Sequence, residues 1–223
     1  MAGYEILTPG IGEIVEKKSR FIGSCAHVTS EEEAMAFVAA KKKEHYDARH
    51  NCFAYVIGER DESVDADGNV VPAHGLITRS SDDGEPSGTA GRPMLDVITG
   101  RGLCDVVMVV TRYFGGVLLG TGGLVRAYSD AAVACIEASE LISRRTGLLL
   151  TITTDYGNAG RIQHIISDRG LFLRDTVYDA DVRFVCMVDP DKKDQIATLI
   201  TNETSGTATL EWGAAESYTI PID

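Results

Sequence analysis

Residues 111–128, TRYFGGVLLGTGGLVRAY, constrain the fold more than any other stretch of this chain. The β-branched run at 106–110, VVMVV, leads into them and reads as a buried strand. Residues 125–138 lead out and read as a helix. Between the two stand Gly115, Gly116, Gly120, Gly122 and Gly123, bracketed by Arg112 and Arg126, with Tyr128 at the end. Glycines at a strand-to-helix junction permit positive φ and close backbone approach. The helix that follows offers unpaired N–H groups and the positive end of its dipole, a setting that favours an anion. The two arginines supply planar, charge-assisted donors. Two readings stand side by side: an anion or phosphate cradle, and a close-packed loop whose arginines pair with acids of the same domain. The segment is not a P-loop, since no G-K-[ST] follows the glycines, and it lacks the G-x-G-x-x-G spacing of a dinucleotide fingerprint.

A second glycine-rich segment lies just upstream, at residues 79–93. It holds Asp82, Asp83, Glu85, Ser87, Thr89 and Arg92 among Gly84, Gly88 and Gly91. Clustered carboxylates on a loop suit a hydrated Mg2+. Ser87 or Thr89 is a nucleophile only beside a base. The nearest histidines in sequence, His50 and His74, read more simply as structural. The alternative is a loop shaped by Asx-turns and glycines, with Thr89 as a helix N-cap. The two segments flank one buried strand, so they are expected to meet at one face as a shared surface patch.

The remaining signals place the other elements. Residues 11–16 and 19–28 read as a hairpin with Lys17-Lys18 at its bend. Ser30 caps a helix whose first turn carries Glu31, Glu32 and Glu33; Glu33 completes a capping box, and Lys41, Lys42 and Lys43 match the other end of the dipole. Residues 50–58 read as a strand, and 59–75 as a loop or hairpin with Asp67-Gly68 at its tip. A short helix follows at 94–99. Beyond residue 147 the order changes: a strand, a helix capped near Asn158 and ended by Gly170, a hairpin around Asp179-Ala180, a second helix and a last strand. That β-α-β-β-α-β succession is ferredoxin-like. The expected fold class is therefore α+β in two domains, 1–140 and 141–223.

Composition narrows the function classes. The net charge of −12 disfavours sequence-independent nucleic-acid binding, which rests on Lys and Arg neutralising phosphate, and it repels an anionic membrane. The five cysteines are scattered, odd in number and never spaced C-x-x-C, which reads as buried reduced thiols. With no secretory signal and no apolar run near bilayer length, a cytoplasmic location is expected.

Four segments together resemble the IMPACT/YigZ family: KKSRFIG (17–23), HNCFAYVIG (50–58), DDGEPSGTAGRPML (82–95) and TRYFGGVLLGTGGLVRAYSDAA (111–132). In order and spacing the resemblance covers roughly residues 4–140; the second half is similar more loosely, by pattern. It implies an N-terminal ribosomal-protein-like domain with a βαβ crossover, the fold shared by domain IV of elongation factor G and the GHMP kinases. It implies a C-terminal domain similar to domain V of that factor. Eukaryotic members regulate translation by competing for the activator of an initiation-factor kinase, but they carry a different accessory domain. The family motifs fall here on Arg20, Asp83, Glu85, Ser87, Thr89, Arg112, Gly115, Gly116, Gly120, Gly122, Gly123, Arg126 and Tyr128.

The expected function is thus a translation-linked regulatory or binding protein. It meets RNA, the ribosome or a translation factor through the Gly/Arg-rich surface, with Tyr113 or Phe114 stacking on a base. The alternative is an enzyme or sensor for a small phosphorylated ligand, with Mg2+ held by Asp82, Asp83 or Glu85. A third reading is a protein-interaction module presenting the sheet near Trp212. No catalytic residue is assigned, no cofactor beyond that Mg2+ is expected, and neither DNA nor a membrane is an expected partner.

Overall fold

The computed structural model describes residues 3–58, 63–64, 70–71 and 75–222. The chain runs β1 (Gly3–Thr8), β2 (Ile11–Glu16), β3 (Ser19–His27), α1 (Glu31–Glu44), β4 (His50–Ile57), β5 (Ser63–Val64), β6 (Val70–Val71), β7 (Ile77–Ser81), α2 (Gly91–Gly100), β8 (Val106–Tyr113) and α3 (Thr121–Glu137). Then come β9 (Glu140–Thr154), α4 (Tyr156–Asp168), β10 (Phe172–Tyr178), β11 (Val182–Val188), a 3-10 turn at 190–192, α5 (Lys193–Glu203) and β12 (Thr209–Pro221). The architecture is α+β. Two compact units emerge: one takes residues up to 144 apart from the β5–β6 segment, together with the last residues from 219; the other takes that segment and 145–218.

In the first unit the sheet order is β2-β3-β8-β4-β7, every neighbouring pair antiparallel. The central strand β8 explains the β-branched run. Val106, Met108 and Val110 point into a core with Phe21, Met94, Leu124 and Tyr128, beneath α2 and α3. Val107 and Val109 point into a second core with Phe53, Tyr55, Ala34 and Val38, beneath α1. A strand covered on both faces reads as continuous apolar sequence rather than alternation. β3 and β4 are parallel across β8 and α1 joins them, so a β-α-β crossover is present.

The β2–β3 bend has the two-residue length read from the sequence, with Glu16 opposite Ser19. Both bend residues are left-handed, Lys17 at φ 45° and Lys18 at φ 67°. Asn-Gly is the usual pair in such a turn, and each lysine there costs roughly 1–2 kcal/mol relative to glycine. The Asp67-Gly68 tip and His74 lie outside the described residues; the flanking β5 and β6 pair with each other.

Two caps differ from the sequence expectation. Ser30 Oγ accepts from the Glu33 N–H at 3.2 Å, as expected. Glu33, however, reaches past Ser30 and accepts from Thr29, from its N–H at 2.8 Å and its hydroxyl at 3.2 Å, because two donors outbid one. Thr89 is not the cap of α2. Its hydroxyl donates to the Pro86 carbonyl at 2.6 Å, and the carboxylate of Asp82 caps the helix from across the loop.

In the second unit the sheet order is β12-β9-β11-β10, and α4 and α5 lie between strands in the β-α-β-β-α-β chain order. Its core joins Leu150, Ile152, Ile162, Phe184, Ile196 and Ile200, with Trp212 packed against it. Asp155 caps α4, its carboxylate accepting from the Asn158 N–H at 2.8 Å. The boundary read at 140–147 falls inside one continuous strand: β9 pairs with β1 through 140–144 and with β11 through 148–154. All five cysteines are buried thiols. Among the described residues, no helix is long and apolar enough to cross a membrane.

Candidate functional site

The two glycine-rich segments do converge, and their meeting point is internal. Glu85, buried with its side chain 3% exposed, accepts from Arg112 Nη1 at 2.6 Å and from the Tyr128 hydroxyl at 2.9 Å. Arg112 is itself buried and points into the α2–α3 side of the sheet from the end of β8. Its guanidinium lies between the rings of Phe21 and Phe114, 5.4 Å from each centroid. Its Nε has no protein partner. The Cys52 sulfur on β4 lies 3.0 Å from the Asp82 carbonyl and 3.3 Å from the Tyr128 oxygen, either of which can accept its one S–H. Burial, with Cys52 and Glu85 beside it, drives the Tyr128 hydroxyl far above the ordinary range, so it stays a donor. Of the two readings open for Arg112, the geometry is that of an arginine paired with an acid of its own domain.

The acidic loop is likewise held from within. Asp82 accepts from three backbone N–H groups, those of Gly88 at 2.8 Å and of Ala90 and Gly91 at 2.9 Å. Burial opposes its charge, but these three donors prevail and hold the carboxyl below the usual aspartate range. Asp83 accepts from Lys42 Nζ at 2.6 Å and from the Asn51 N–H at 2.8 Å. Ser87 is exposed, and Arg92 pairs with Asp96 one turn on at 2.8 Å. His50 Nδ1 lies 2.9 Å from the Asp83 carbonyl, on the backbone rather than on either hydroxyl. The three carboxylates thus face three different sets of internal donors. The described group of three side chains whose ligand atoms converge lies elsewhere, at Glu5, His27 and Asp105.

What remains outward is the glycine loop itself. A Cβ on Gly115 would sit 2.0 Å from the Lys18 carbonyl carbon, so this glycine lets the loop lie on the Lys17-Lys18 bend. Ser19 Oγ accepts from the Gly115 N–H at 3.1 Å and fixes the contact. Gly116 and Gly120 have φ of 84° and 74°, open to glycine and costly for other residues. Gly120 is the N-cap of α3 and provides no side chain, so the first N–H groups of the helix carry no side-chain cap. A Cβ on Gly122 would meet nothing within 4 Å, and Gly123 faces Leu119. Arg126, one turn into α3, is exposed and unpaired among the described residues. Arg20 is exposed but held by Glu13 through two contacts of 2.8 Å. Phe114 is 48% exposed and Leu118 83%, with Val117 beside them. The sequence reading did not single out Leu118, Lys17 or Lys18 for function. The available signals were an apolar residue among glycines and a lysine pair in a turn that normally takes Asn-Gly.

Known proteins are similar along most of the chain. The model of the Impact N-terminal domain matches residues 17–136, and that of a domain of unknown function, DUF1949, matches residues 152–207. The chain is 36% identical to IMPACT family member YvyE of Bacillus subtilis, over 94% of this chain and 90% of that protein. It is 50% identical to IMPACT family member YigZ of Escherichia coli, over 50% of this chain and 49% of that one. A solved structure titled as an hypothetical protein aligns over 96% of this chain and 98% of its own, at 31% identity and a TM-score of 0.55.

Proposed function

The chain belongs to the IMPACT family, and from that premise we propose that it is a translation-linked regulatory protein that binds RNA of the translation machinery through its glycine loop. The observation that carries the reading is the uncapped start of α3, with Arg126, unpaired among the described residues, one turn on and the Lys17-Lys18 bend packed on Gly115. Phosphate oxygens would accept from the α3 N–H groups, Arg126 and the two lysines, while Phe114, whose ring already faces Arg112, offers a surface for a base. Arg112 and Tyr128 act behind this surface by fixing the loop to Glu85. A local basic patch on a chain of net charge −12 confines phosphate contact to one place.

The test is fluorescence anisotropy with a short single-stranded RNA across a salt series. Each phosphate neutralised steepens the fall of log K with log salt by about 0.7. Arg126→Glu should weaken binding at least tenfold and flatten that slope, and the neutral Leu118→Ser should leave the slope unchanged. Binding that ignores salt and is lost with Leu118→Ser would replace RNA with a protein partner, a translation factor among them. The other reading, a small phosphorylated ligand with Mg2+, draws on the same helix start. Its metal half is weakened by the internal donors already on Asp82, Asp83 and Glu85; a thermal shift with nucleotides that requires Mg2+ would favour it.

A further inference from the structure

Cys25 on β3 and Cys135 on α3 lie side by side in the first unit, their sulfurs facing the same backbone carbonyl. Glycines bring them together. A Cβ on Gly12 would lie 2.2 Å from the Cys135 nitrogen, and one on Gly23 would lie 2.9 Å from the Cys135 Cβ. The helix therefore rests directly on the β2–β3 backbone at this point. The two sulfurs share one acceptor, the Gly10 carbonyl, at 4.0 Å from Cys25 and 3.5 Å from Cys135. Ser139 Oγ lies 3.3 Å from the Cys25 sulfur. Both cysteines are buried, and Ser139, beside Cys25, lines a surface cavity of about 530 Å³ with Leu7, Arg101 and Leu141. The other thiols have other surroundings: the Cys52 sulfur lies by the Tyr128 oxygen and the Asp82 carbonyl, Cys104 donates to the Tyr4 carbonyl, and Cys186 lies in the second unit.

We propose that Cys25 and Cys135 are a modification site, closed to a reversible disulfide by hydrogen peroxide. The Cys25 thiolate attacks a peroxide oxygen and the O–O bond breaks; with the proton Cys25 has lost, the released hydroxide leaves as water. The product is a sulfenic acid on Cys25. The Cys135 thiol then attacks that sulfur. The S–S bond forms, the S–O bond breaks, and a second water leaves with the Cys135 proton. Two thiols lose two electrons in all, and one peroxide is reduced to two waters. Cys25 is the attacking member: the neighbouring Cys135, opposed by burial and helped by Ser139, holds its thiol below the ordinary range, whereas the Cys25 neighbour and burial raise Cys135. Closure to an S–S length of about 2.0 Å ties β3 to the last turns of α3.

Hydrogen peroxide on the full native chain, followed by alkylation and peptide mapping, tests this. The expected product is one crosslinked peptide pair, Cys25 with Cys135, reversed by dithiothreitol, with Cys52, Cys104 and Cys186 still alkylatable once the chain is unfolded. In Cys135→Ser the crosslink should vanish and dimedone should trap Cys25 as its sulfenic adduct. Native chain that keeps both thiols, or that crosslinks only in denaturant strong enough to free Cys186 as well, overturns the proposal. The wild-type map decides even where the variant does not fold.

Discussion

Arg112 is a buried strut that ties the end of β8 to Glu85 in the loop ahead of α2. Removing it strands Glu85, a carboxylate 3% exposed, beside a tyrosine that remains neutral. Breaking one half of a buried pair costs about 3–5 kcal/mol, whereas replacing both halves with apolar groups is often neutral. Arg112→Ala should therefore lower the chemical-denaturation stability by about that amount, and Arg112→Met with Glu85→Leu should recover most of it. Equal losses in the single and double variants would mean the pair is not the unit of stability. The direction of Arg112 was not legible in the sequence for a physical reason. Thr111 and Arg112 project to opposite faces of β8, and both faces are covered, so period-two patterning gives no sign of which residue is inside. Glycine was a better guide: Gly115, Gly116 and Gly120 sit where close approach or positive φ requires them.

At the scale of elements, the Lys17-Lys18 bend spends stability that an ordinary turn would keep. Lys17→Asn with Lys18→Gly should raise the melting free energy by about 1 kcal/mol, by relieving two left-handed lysines. On the proposed function it should also weaken RNA binding, which anisotropy reads separately; unchanged affinity would remove these lysines from the surface. The loop ahead of α2 makes a pH-dependent contribution. The carboxyl of Asp82 lies below its ordinary value in the folded chain, so its stabilisation is complete above about pH 4 and is lost as pH falls through the folded value. Asp82→Asn should cost about 1–2 kcal/mol at neutral pH, with the gap to wild type closing in acid. A gap that is constant with pH would assign the effect to the amide's shape rather than to charge. Most elements were legible because their signals are local: the two-residue bend, Ser30 before three glutamates, Gly170 after α4. The cap of α2 was not, since Asp82 lies eight residues before Ala90 and reaches it only once the loop has closed.

For the molecule as a whole, the net charge of −12 makes two opposite predictions about salt. Self-repulsion is screened as ionic strength rises, so the melting temperature should increase from low to moderate salt. Phosphate binding at the glycine loop should weaken over the same range. Both trends falling together would argue that specific ion pairs, rather than net repulsion, dominate the folded state. The two-unit plan was legible from the change in element order near residue 140. The way the units share strand β9 was not, because a boundary inside a continuous strand leaves no turn residues to mark it.

The chain's single tryptophan, Trp212, packs on the core of the second unit with Lys193 Nζ 5.3 Å above its ring. Its emission is therefore a built-in optical reporter for that unit, while the buried Tyr55 and Tyr128 belong to the first. Excitation at the red edge, where only indole absorbs, would follow one half of the molecule through a melt. Comparison with circular dichroism would then reveal whether the halves unfold as one cooperative body or in turn.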